Sequence, residues 1–300
     1  MDMTHNKCCR HGANLRRRRR RRRKILRSII FSYSIIAVAV FVAVGSSMIR
    51  SGDGRKNRYD VEAGNNIYDN AVIKNSKISE KNKIQNNQSM LDDIMNSTQY
   101  PKQLKDLALK NEEALEFVYD YPAEHVKEHT IDLTEEASMD SVPLFVQWDK
   151  RWGYEKYSGN FFAASGCGPT TLSMVVVYLT HNREASPIAV AKYSKEAGYS
   201  VDGSGSSWTL ISEGCMHYGV KAKSVALDES RMKAELDEGH PIVVNVGPGD
   251  FTDTGHFMVI TGYDDEGFSI NDPNSIEKSG KRWLFKNISS QIRAVWSMYV

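Results

Sequence analysis

Cysteine is scarce in this sequence, and its scarcity excludes a fold built on disulfide bonds. Only four cysteines occur in 300 residues: Cys8, Cys9, Cys167 and Cys215. Two of them precede a long apolar segment, which leaves two for the rest of the chain, too few for a disulfide framework. No cysteine or histidine stands with other ligand residues at a metal-binding spacing, so we predict neither a metal nor another cofactor.

Charged residues are absent from 28–49, which is typical of a membrane span. At about 1.5 Å per residue, this stretch crosses a hydrocarbon core of roughly 30 Å as one helix. The positive-inside rule keeps the preceding run Arg16–Arg23 in the cytoplasm. We therefore predict a cytoplasmic arginine-rich tail at 1–27, a transmembrane signal anchor at 28–49 and an extracytoplasmic C-terminal domain at the cell membrane. A cleaved signal peptide is the alternative, because 43–47 is rich in small residues.

The two sides of this segment carry opposite charge. The first fifty residues have thirteen Lys and Arg against one acidic residue, which leaves 26 against 36 for the rest of the chain. An arginine run by itself also suits nucleic acid, but beside a membrane span topology explains it, so we expect no nucleic-acid partner. The acidic balance of the outer part favours a neutral or cationic partner.

Sustained apolar periodicity is missing from 50–90, where Asn, Lys and Ser dominate and predict a disordered tether. Order is expected from Leu91 onwards, in a helical extension over 91–141. After Pro101, apolar residues recur at helical spacing and predict one helix over 102–119 that packs on the following domain. We expect that domain, 142–300, to be monomeric.

The domain at 142–300 has helix signals in its first half and strand signals in its second. Helices are predicted at Cys167–Thr180, Pro187–Ala197, Ser207–Tyr218 and Glu229–Glu238. Strands are predicted at Pro241–Val246, Gly255–Tyr263 and Phe268–Pro273, with a turn at 264–267. Helices followed by antiparallel strands indicate the α+β class.

Cys167 lies in a turn of small residues that leads into an apolar helix. Pro169 suits the first helical turn, where a missing N–H costs nothing. Free N–H groups and the positive end of the helix dipole favour a thiolate there. Gly166 and Gly168 are expected to leave space beside the sulfur for an extended chain. We interpret Cys167 as a nucleophile; the alternative is a small buried residue that only fills space.

A cysteine nucleophile needs a base and a group that orients the base. His256 opens a predicted strand, and the returning strand brings Asp272 to the same end of the hairpin. Asp272 can then accept a hydrogen bond from the imidazole; alternatively, Asp272 and Pro273 only form a turn. Cys215 falls in a predicted amphipathic helix and is interpreted as a packing residue.

Four motifs carry a more specific signal. In chain order they are Val142-Pro143 with Gln147-Trp148-Asp149, Gly166-Cys167-Gly168-Pro169-Thr170, Gly255-His256-Phe257 and Asn271-Asp272-Pro273. In these motifs the domain resembles the stand-alone relatives of the bacteriocin-leader-processing, or double-glycine, cysteine peptidases, a branch of the papain-like fold. The resemblance implies that fold, with Cys167 as nucleophile, His256 as base and Asp272 as orienting residue. It also implies an oxyanion donor in the Gln147 side chain, which requires the Tyr154–Phe162 segment to loop out.

These residues together predict an extracytoplasmic cysteine peptidase that hydrolyses a peptide or isopeptide bond in a peptide or protein substrate. One alternative is an acyl transferase with the same three residues, in which an amine replaces water. The other is a non-catalytic tethered binding module. Such a module has no need of Cys, His and Asp together, which favours the enzyme.

Overall fold

The computed structural model of the protein describes residues 81–300, which belong to one compact unit, Ser76–Val300. The predicted tail 1–27, the predicted span 28–49 and most of the predicted tether lie outside the described residues. Within 81–300, no helix combines the length and the apolar character that crossing a membrane requires.

Helices dominate the first part of the described chain and strands the last part. The helices are α1 (81–96), α2 (Lys102–Lys110), α3 (Leu115–Tyr119), α4 (Tyr121–Glu124), α5 (Thr134–Ser138), α6 (Phe162–Ser165), α7 (Cys167–Thr180), α8 (Pro187–Glu196), α9 (Thr209–Ser212), α10 (Glu229–Asp237), α11 (Ile276–Ser279) and α12 (Phe285–Ile288). Three 3₁₀ turns within 81–300 cover Glu112–Ala114, Gly214–Tyr218 and Ser289–Gln291. The strands are β1 (Lys156–Tyr157), β2 (Asn160–Phe161), β3 (Ser200–Val201), β4 (Gly205–Ser206), β5 (Lys221–Ser224), β6 (Ile242–Val246), β7 (His256–Asp264), β8 (Gly267–Asn271), β9 (Arg282–Trp283) and β10 (Ile292–Tyr299).

Six of these strands form one antiparallel sheet in the order β5-β10-β6-β7-β8-β9. Strands β6 to β9 follow one another as a meander. Strand β10 comes last in the chain but pairs with both β5 and β6, so it lies inside the sheet. The predicted α+β class with an antiparallel sheet is confirmed, although β5, β9 and β10 were not predicted.

Side chains alternate along the strands and give the sheet two apolar faces. Phe257 and Val259 of β7 belong to the core that also contains the buried residues of α7. Met258 and Ile260 belong to the core on the opposite face, with Met232 of α10. Each large apolar side chain stabilises the fold by about 1.5–3 kcal/mol when fully buried. These contacts fix α7 against the sheet, with the start of the helix beside the start of β7.

The helical extension packs on the domain through a third apolar cluster, in which Leu104 and Leu115 meet Phe161 and Ala163. This docking agrees with the prediction, but two details differ. Residues 81–90, predicted as tether, are helical and belong to α1. Near the end of α1, Ile94 is buried without exposed surface and anchors this helix.

The prediction of a single helix over 102–119 is wrong, because the helix is interrupted at Asn111. This residue has extended dihedral angles, φ −136° and ψ 100°. Its side-chain oxygen accepts from the N–H of Glu113 at 3.0 Å, and its Nδ2 donates to the carbonyl oxygen of Asn274 at 2.9 Å. The hydrogen bonds of the Asn111 side chain to Glu113 and to the distant Asn274 thus stabilise the interruption of the helix.

The helix predicted over 207–218 is also wrong, since α9 stops at Ser212 and a 3₁₀ turn follows. Glu213 leaves the helical region, with φ −126° and ψ −47°. A Cβ atom on Gly214 would lie 3.1 Å from the Tyr199 ring, so the chain passes close to that ring. Cys215, in the 3₁₀ turn, is fully buried in the core, as the packing interpretation requires.

Candidate active site

Cys167 is the first residue of α7, a helix of 14 residues. The short helix α6 ends just before it, and the Gly166 N–H donates to the carbonyl oxygen of Phe162 at 2.7 Å. The Cys167 side chain is partly exposed. A thiol in this position lies at the positive end of the helix dipole, among N–H groups that have no partner within the helix.

The two glycines beside Cys167 do not leave open space, and the expectation that they do is wrong. A Cβ atom on Gly166 would lie 2.6 Å from the Phe162 ring. A Cβ atom on Gly168 would lie 2.5 Å from the Ser206 hydroxyl oxygen. Both glycines therefore permit close packing around the turn, and the approach to the sulfur comes from another direction.

His256 and Asp272 meet at one end of the β7–β8 hairpin. Val259 pairs with Asn271, the last residue of β8, so Asp272 follows directly and lies near the first residue of β7. The distance from His256 Nε2 to Asp272 Oδ1 is 2.7 Å. A carboxylate only accepts hydrogen bonds, so Nε2 donates, and Nδ1 is the ring nitrogen left for the thiol. Both side chains are buried.

The Cys167 thiol and the His256 imidazole shift each other's pKa. Burial raises the pKa of this thiol, but the interaction with the imidazole, the imidazole charge and the N–H groups of Phe257 and Gly168 outweigh burial and hold the pKa below its ordinary value. Burial lowers the pKa of His256, but the charge of Asp272 and the bonds to Asp272 and Cys167 raise it well above its ordinary value. These opposite shifts favour a thiolate–imidazolium pair at neutral pH.

The loop that carries Asp272 is held by the N-terminal extension. The Asn274 N–H donates to Asp272 Oδ1 at 2.8 Å, and Asn111 Nδ2 donates to the carbonyl oxygen of Asn274. The Glu113 carboxylate accepts from the Ser275 hydroxyl and from two N–H groups at the start of α11, at 2.7 and 3.0 Å. The carboxylate beside the imidazole is thus positioned by a segment far away in the sequence.

Gln147 lies between the segment before Cys167 and the loop of Asp272. Its Nε2 donates to the carbonyl oxygen of Ala163 at 2.7 Å, and its backbone N–H donates to the carbonyl oxygen of Pro273 at 2.7 Å. The 154–162 segment does loop out, because β1 and β2 form a two-stranded hairpin. One hydrogen of Nε2 is taken up by Ala163, which leaves one for a further acceptor.

A cleft of about 670 Å³ opens beside the thiol. The β1–β2 turn and the β3–β4 loop line it, together with the ends of β6 and β7 and part of β10. Phe257 lines the cleft with Cys167, whereas the His256 side chain stays behind it, 7% exposed. The cleft therefore offers an extended chain a route to the sulfur, with most of the imidazole surface buried.

Most residues that line the cleft were not predicted from the sequence, and Trp208, Asn245 and Arg293 are among them. Asn245 is a polar residue in an otherwise apolar buried strand, and this exception is a feature of the sequence by which it could have been recognised. Arg293 belongs to β10, which was not predicted. Without that strand, no local pattern connects Arg293 with the thiol.

The chain is similar to two solved peptidase structures. The peptidase domain of Streptococcus ComA, a bifunctional ABC transporter involved in a quorum sensing pathway, is 20% identical, with a TM-score of 0.36; the match covers 45% of this chain and 90% of that one. A C39-like peptidase from Bacillus anthracis is 16% identical, with a TM-score of 0.34, over 53% of this chain and 95% of that one. No curated protein matches. A model of the Peptidase_C39 like family matches residues 139–300, more than half of the chain. The chain therefore belongs to the Peptidase_C39 like family, and these residues form a C39-like cysteine peptidase domain.

Proposed function

We propose that this protein is a membrane-anchored, extracytoplasmic cysteine peptidase that hydrolyses a peptide or isopeptide bond with Cys167, His256 and Asp272. The observation that carries the proposal is the His256–Asp272 pair beside the thiol. The imidazole bonds to the carboxylate at 2.7 Å, and the thiol and the imidazole shift each other's pKa in opposite directions. A lowered thiol pKa and a raised imidazole pKa are what an ion-pair nucleophile requires.

In the proposed reaction, the Cys167 thiolate attacks the carbonyl carbon of the substrate bond and forms a tetrahedral oxyanion. His256 gives a proton to the leaving amine, and the amine departs as the thioester forms. Asp272 holds the imidazole through Nε2 and so keeps Nδ1 directed at the sulfur. His256 then takes a proton from water, the hydroxide attacks the thioester, and the carboxylic acid and the free thiol are released.

The proposed oxyanion donors are the backbone N–H of Cys167 and the second Nε2 hydrogen of Gln147. Gln147→Ala should lower turnover by about a hundredfold, the usual scale for the loss of one such donor. Alkylation of Cys167 should stay nearly unchanged, because the thiol and the imidazole remain. Unchanged turnover in this variant would exclude Gln147 from the oxyanion site.

The decisive experiment is digestion of an internally quenched peptide library by the full-length chain, with cleaved bonds identified by mass spectrometry. Cys167→Ala should abolish cleavage, whereas the matched variant Cys215→Ala should retain it. Product analysis separates hydrolysis from acyl transfer, because a hydrolase releases the carboxylic acid in water alone, whereas an acyl transferase turns over only when an acceptor amine is added. Binding without any Cys167-dependent cleavage would favour the tethered binding module.

The proposed membrane anchor is the apolar stretch 28–49, with the arginine run on the cytoplasmic side. Protease added to intact spheroplasts should degrade the peptidase domain and spare a short N-terminal stub. A protected domain would contradict this orientation. A soluble protein whose N-terminus lies near Ser46 would instead establish a cleaved signal peptide.

A further inference from the structure

Arg293 occupies an irregular position in β10. Ile292 and Ala294 pair with consecutive residues of β6, so Arg293 is the extra residue of a β-bulge. Bulges redirect a side chain and are common beside active sites. Arg293 is exposed and lines the same cleft as Cys167. Among the described residues that line this cleft, Arg293 is the only Lys, Arg, Asp or Glu.

The guanidinium group of Arg293 lies over the backbone of Gly247. A Cβ atom on Gly247 would come within 2.9 Å of Arg293 Nε and 3.2 Å of Cζ, so a side chain there would displace the group. Nη1 donates to the carbonyl oxygen of Ser290 at 2.8 Å. Within residues 81–300 the remaining guanidinium N–H groups have no acceptor, and no carboxylate forms an ion pair with Arg293.

Asn245 lies on the neighbouring strand β6, opposite Ala294, the residue after Arg293. It also lines the cleft, although it is only 5% exposed. Its carboxamide makes no hydrogen bond to any other residue of 81–300. The amide thus keeps free hydrogen-bonding capacity at the wall of the cleft, and a ligand in the cleft would satisfy it.

We infer that Arg293 and Asn245 form a subsite for a carboxylate of the peptide substrate; this inference rests on the proposed peptidase function. A guanidinium group binds a carboxylate through two parallel N–H groups, and the Asn245 amide supplies a further donor beside it. The acidic balance of the outer chain favoured a neutral or cationic partner, but recognition is decided by the charge that lines the cleft. The carboxylate comes from an Asp or Glu side chain or from the C-terminus of the peptide.

The test compares matched peptides that differ only in this carboxylate. One set of quenched peptides carries Asp or Glu, with Asn or Gln in the same positions of its partner peptides. A second set has a free or an amidated C-terminus. We expect the full-length chain to prefer the acidic member of one set by about tenfold to a hundredfold in kcat/KM, the range of a charge-assisted hydrogen bond. The set that shows the preference identifies the source of the carboxylate.

Arg293→Gln should remove this preference, and Arg293→Lys should keep only part of it, because Lys has charge without the paired donors. Asn245→Asp should weaken it, since a second carboxylate repels the first. The control is Arg183→Gln, which removes an exposed arginine outside the cleft and should leave the ratio unchanged. Thermal unfolding of each variant separates a loss of recognition from a loss of folding.

Binding is measured separately, as anisotropy of fluorescein-labelled versions of the same peptides with Cys167→Ala and with Cys167→Ala/Arg293→Gln. The inference is overturned if neither binding nor cleavage distinguishes acidic from neutral peptides, or if Arg293→Gln keeps the distinction. Carboxylate-dependent binding without Cys167-dependent cleavage would support the subsite and contradict the peptidase proposal. Cys167-dependent cleavage with no carboxylate preference would support the peptidase proposal and contradict the subsite.

Discussion

Cys167 and Cys215 are the two cysteines of the described chain, and their surroundings differ in every respect that affects a thiol. Cys167 begins a long helix, is partly exposed and has a pKa that the His256 imidazole lowers. Cys215 lies in a 3₁₀ turn inside the core, without exposed surface, and burial raises its pKa to about 11. The same side chain therefore serves as a candidate nucleophile in one place and as a packing residue in the other.

The difference shows that burial alone does not decide thiol chemistry. Burial raises the pKa of both cysteines, but at Cys167 the charge and hydrogen bonds of His256 outweigh it. The charge of Asp272 in turn raises the pKa of that histidine. We therefore expect the reactivity of the thiol to depend on His256 and Asp272, each of which can be replaced separately.

The largest expected effect is the contrast between the two thiols in the unchanged protein. Because the thiolate is the reactive form, iodoacetamide should modify Cys167 about a thousandfold faster than Cys215 at pH 7. The Cys167 rate should rise as pH passes upward through its lowered pKa and stay high at neutral pH, whereas Cys215 should react only as pH approaches 11. Peptide mapping by mass spectrometry measures both rates. Equal rates would contradict the activated pair.

Loss of the imidazole should come next. His256→Ala removes the main favourable partner of the thiolate, so the Cys167 alkylation rate at pH 6 should fall by about a hundredfold, with a smaller deficit at pH 9. His217→Ala is the matched control, because that ring stacks on Tyr193 and is not part of the candidate site. A His256→Ala protein that reacts like the wild type would mean that the helix terminus alone activates Cys167.

A smaller effect is expected for the carboxylate. Asp272→Asn keeps the shape of the side chain but removes the charge that raises the His256 pKa. The imidazolium, and with it the thiolate–imidazolium pair, should therefore be lost at a lower pH than in the wild type. Alkylation at pH 7 should fall by about tenfold, less than for His256→Ala, because the base remains. Asp228→Asn provides the control, since Asn caps the start of α10 as well as Asp does. The measurement is the pH dependence of Cys167 alkylation in Asp272→Asn and in Asp228→Asn, and only the first profile should differ from that of the wild type.

The smallest effect is expected from the extension. Glu113→Ala removes three hydrogen bonds to the start of α11 and loosens the loop that carries Asp272. Loss of a cap costs about 1 kcal/mol, so Cys167 alkylation should slow by at most about fivefold, with Cys215 unchanged. Glu116→Ala, an exposed neighbour, is the control. If both thiols respond equally to Glu113→Ala, the extension acts on the whole fold and not on the site.

Local sequence was sufficient for the parts of the site that depend on neighbours in the chain. The bounds of α7 agree with the helix predicted at Cys167–Thr180, because an apolar run and a first-turn proline define it. The proximity of His256 and Asp272 follows from one hairpin with its turn at 264–267, although a bulge between Ile260 and Gly262 shifts the register by one residue. Hairpin geometry needs only residues a short distance apart, and such contacts leave a pattern that a sequence displays.

Tertiary structure decided what depends on distant partners. Strand β10 has no alternating pattern, because it lies between β5 and β6 with residues buried on both faces, and so Arg293 had no visible link to the cleft. The predicted helix is interrupted at Asn111, whose side chain donates a hydrogen bond to Asn274, 163 residues away in the chain. Gly166 and Gly168 suggested open space, but Phe162 and Ser206 fill it. The sequence by itself determined the helix of Cys167 and the hairpin of His256 and Asp272. Packing decided that these elements meet beside a cleft that Arg293 lines, because residues far apart in the chain come together only when the sheet is complete.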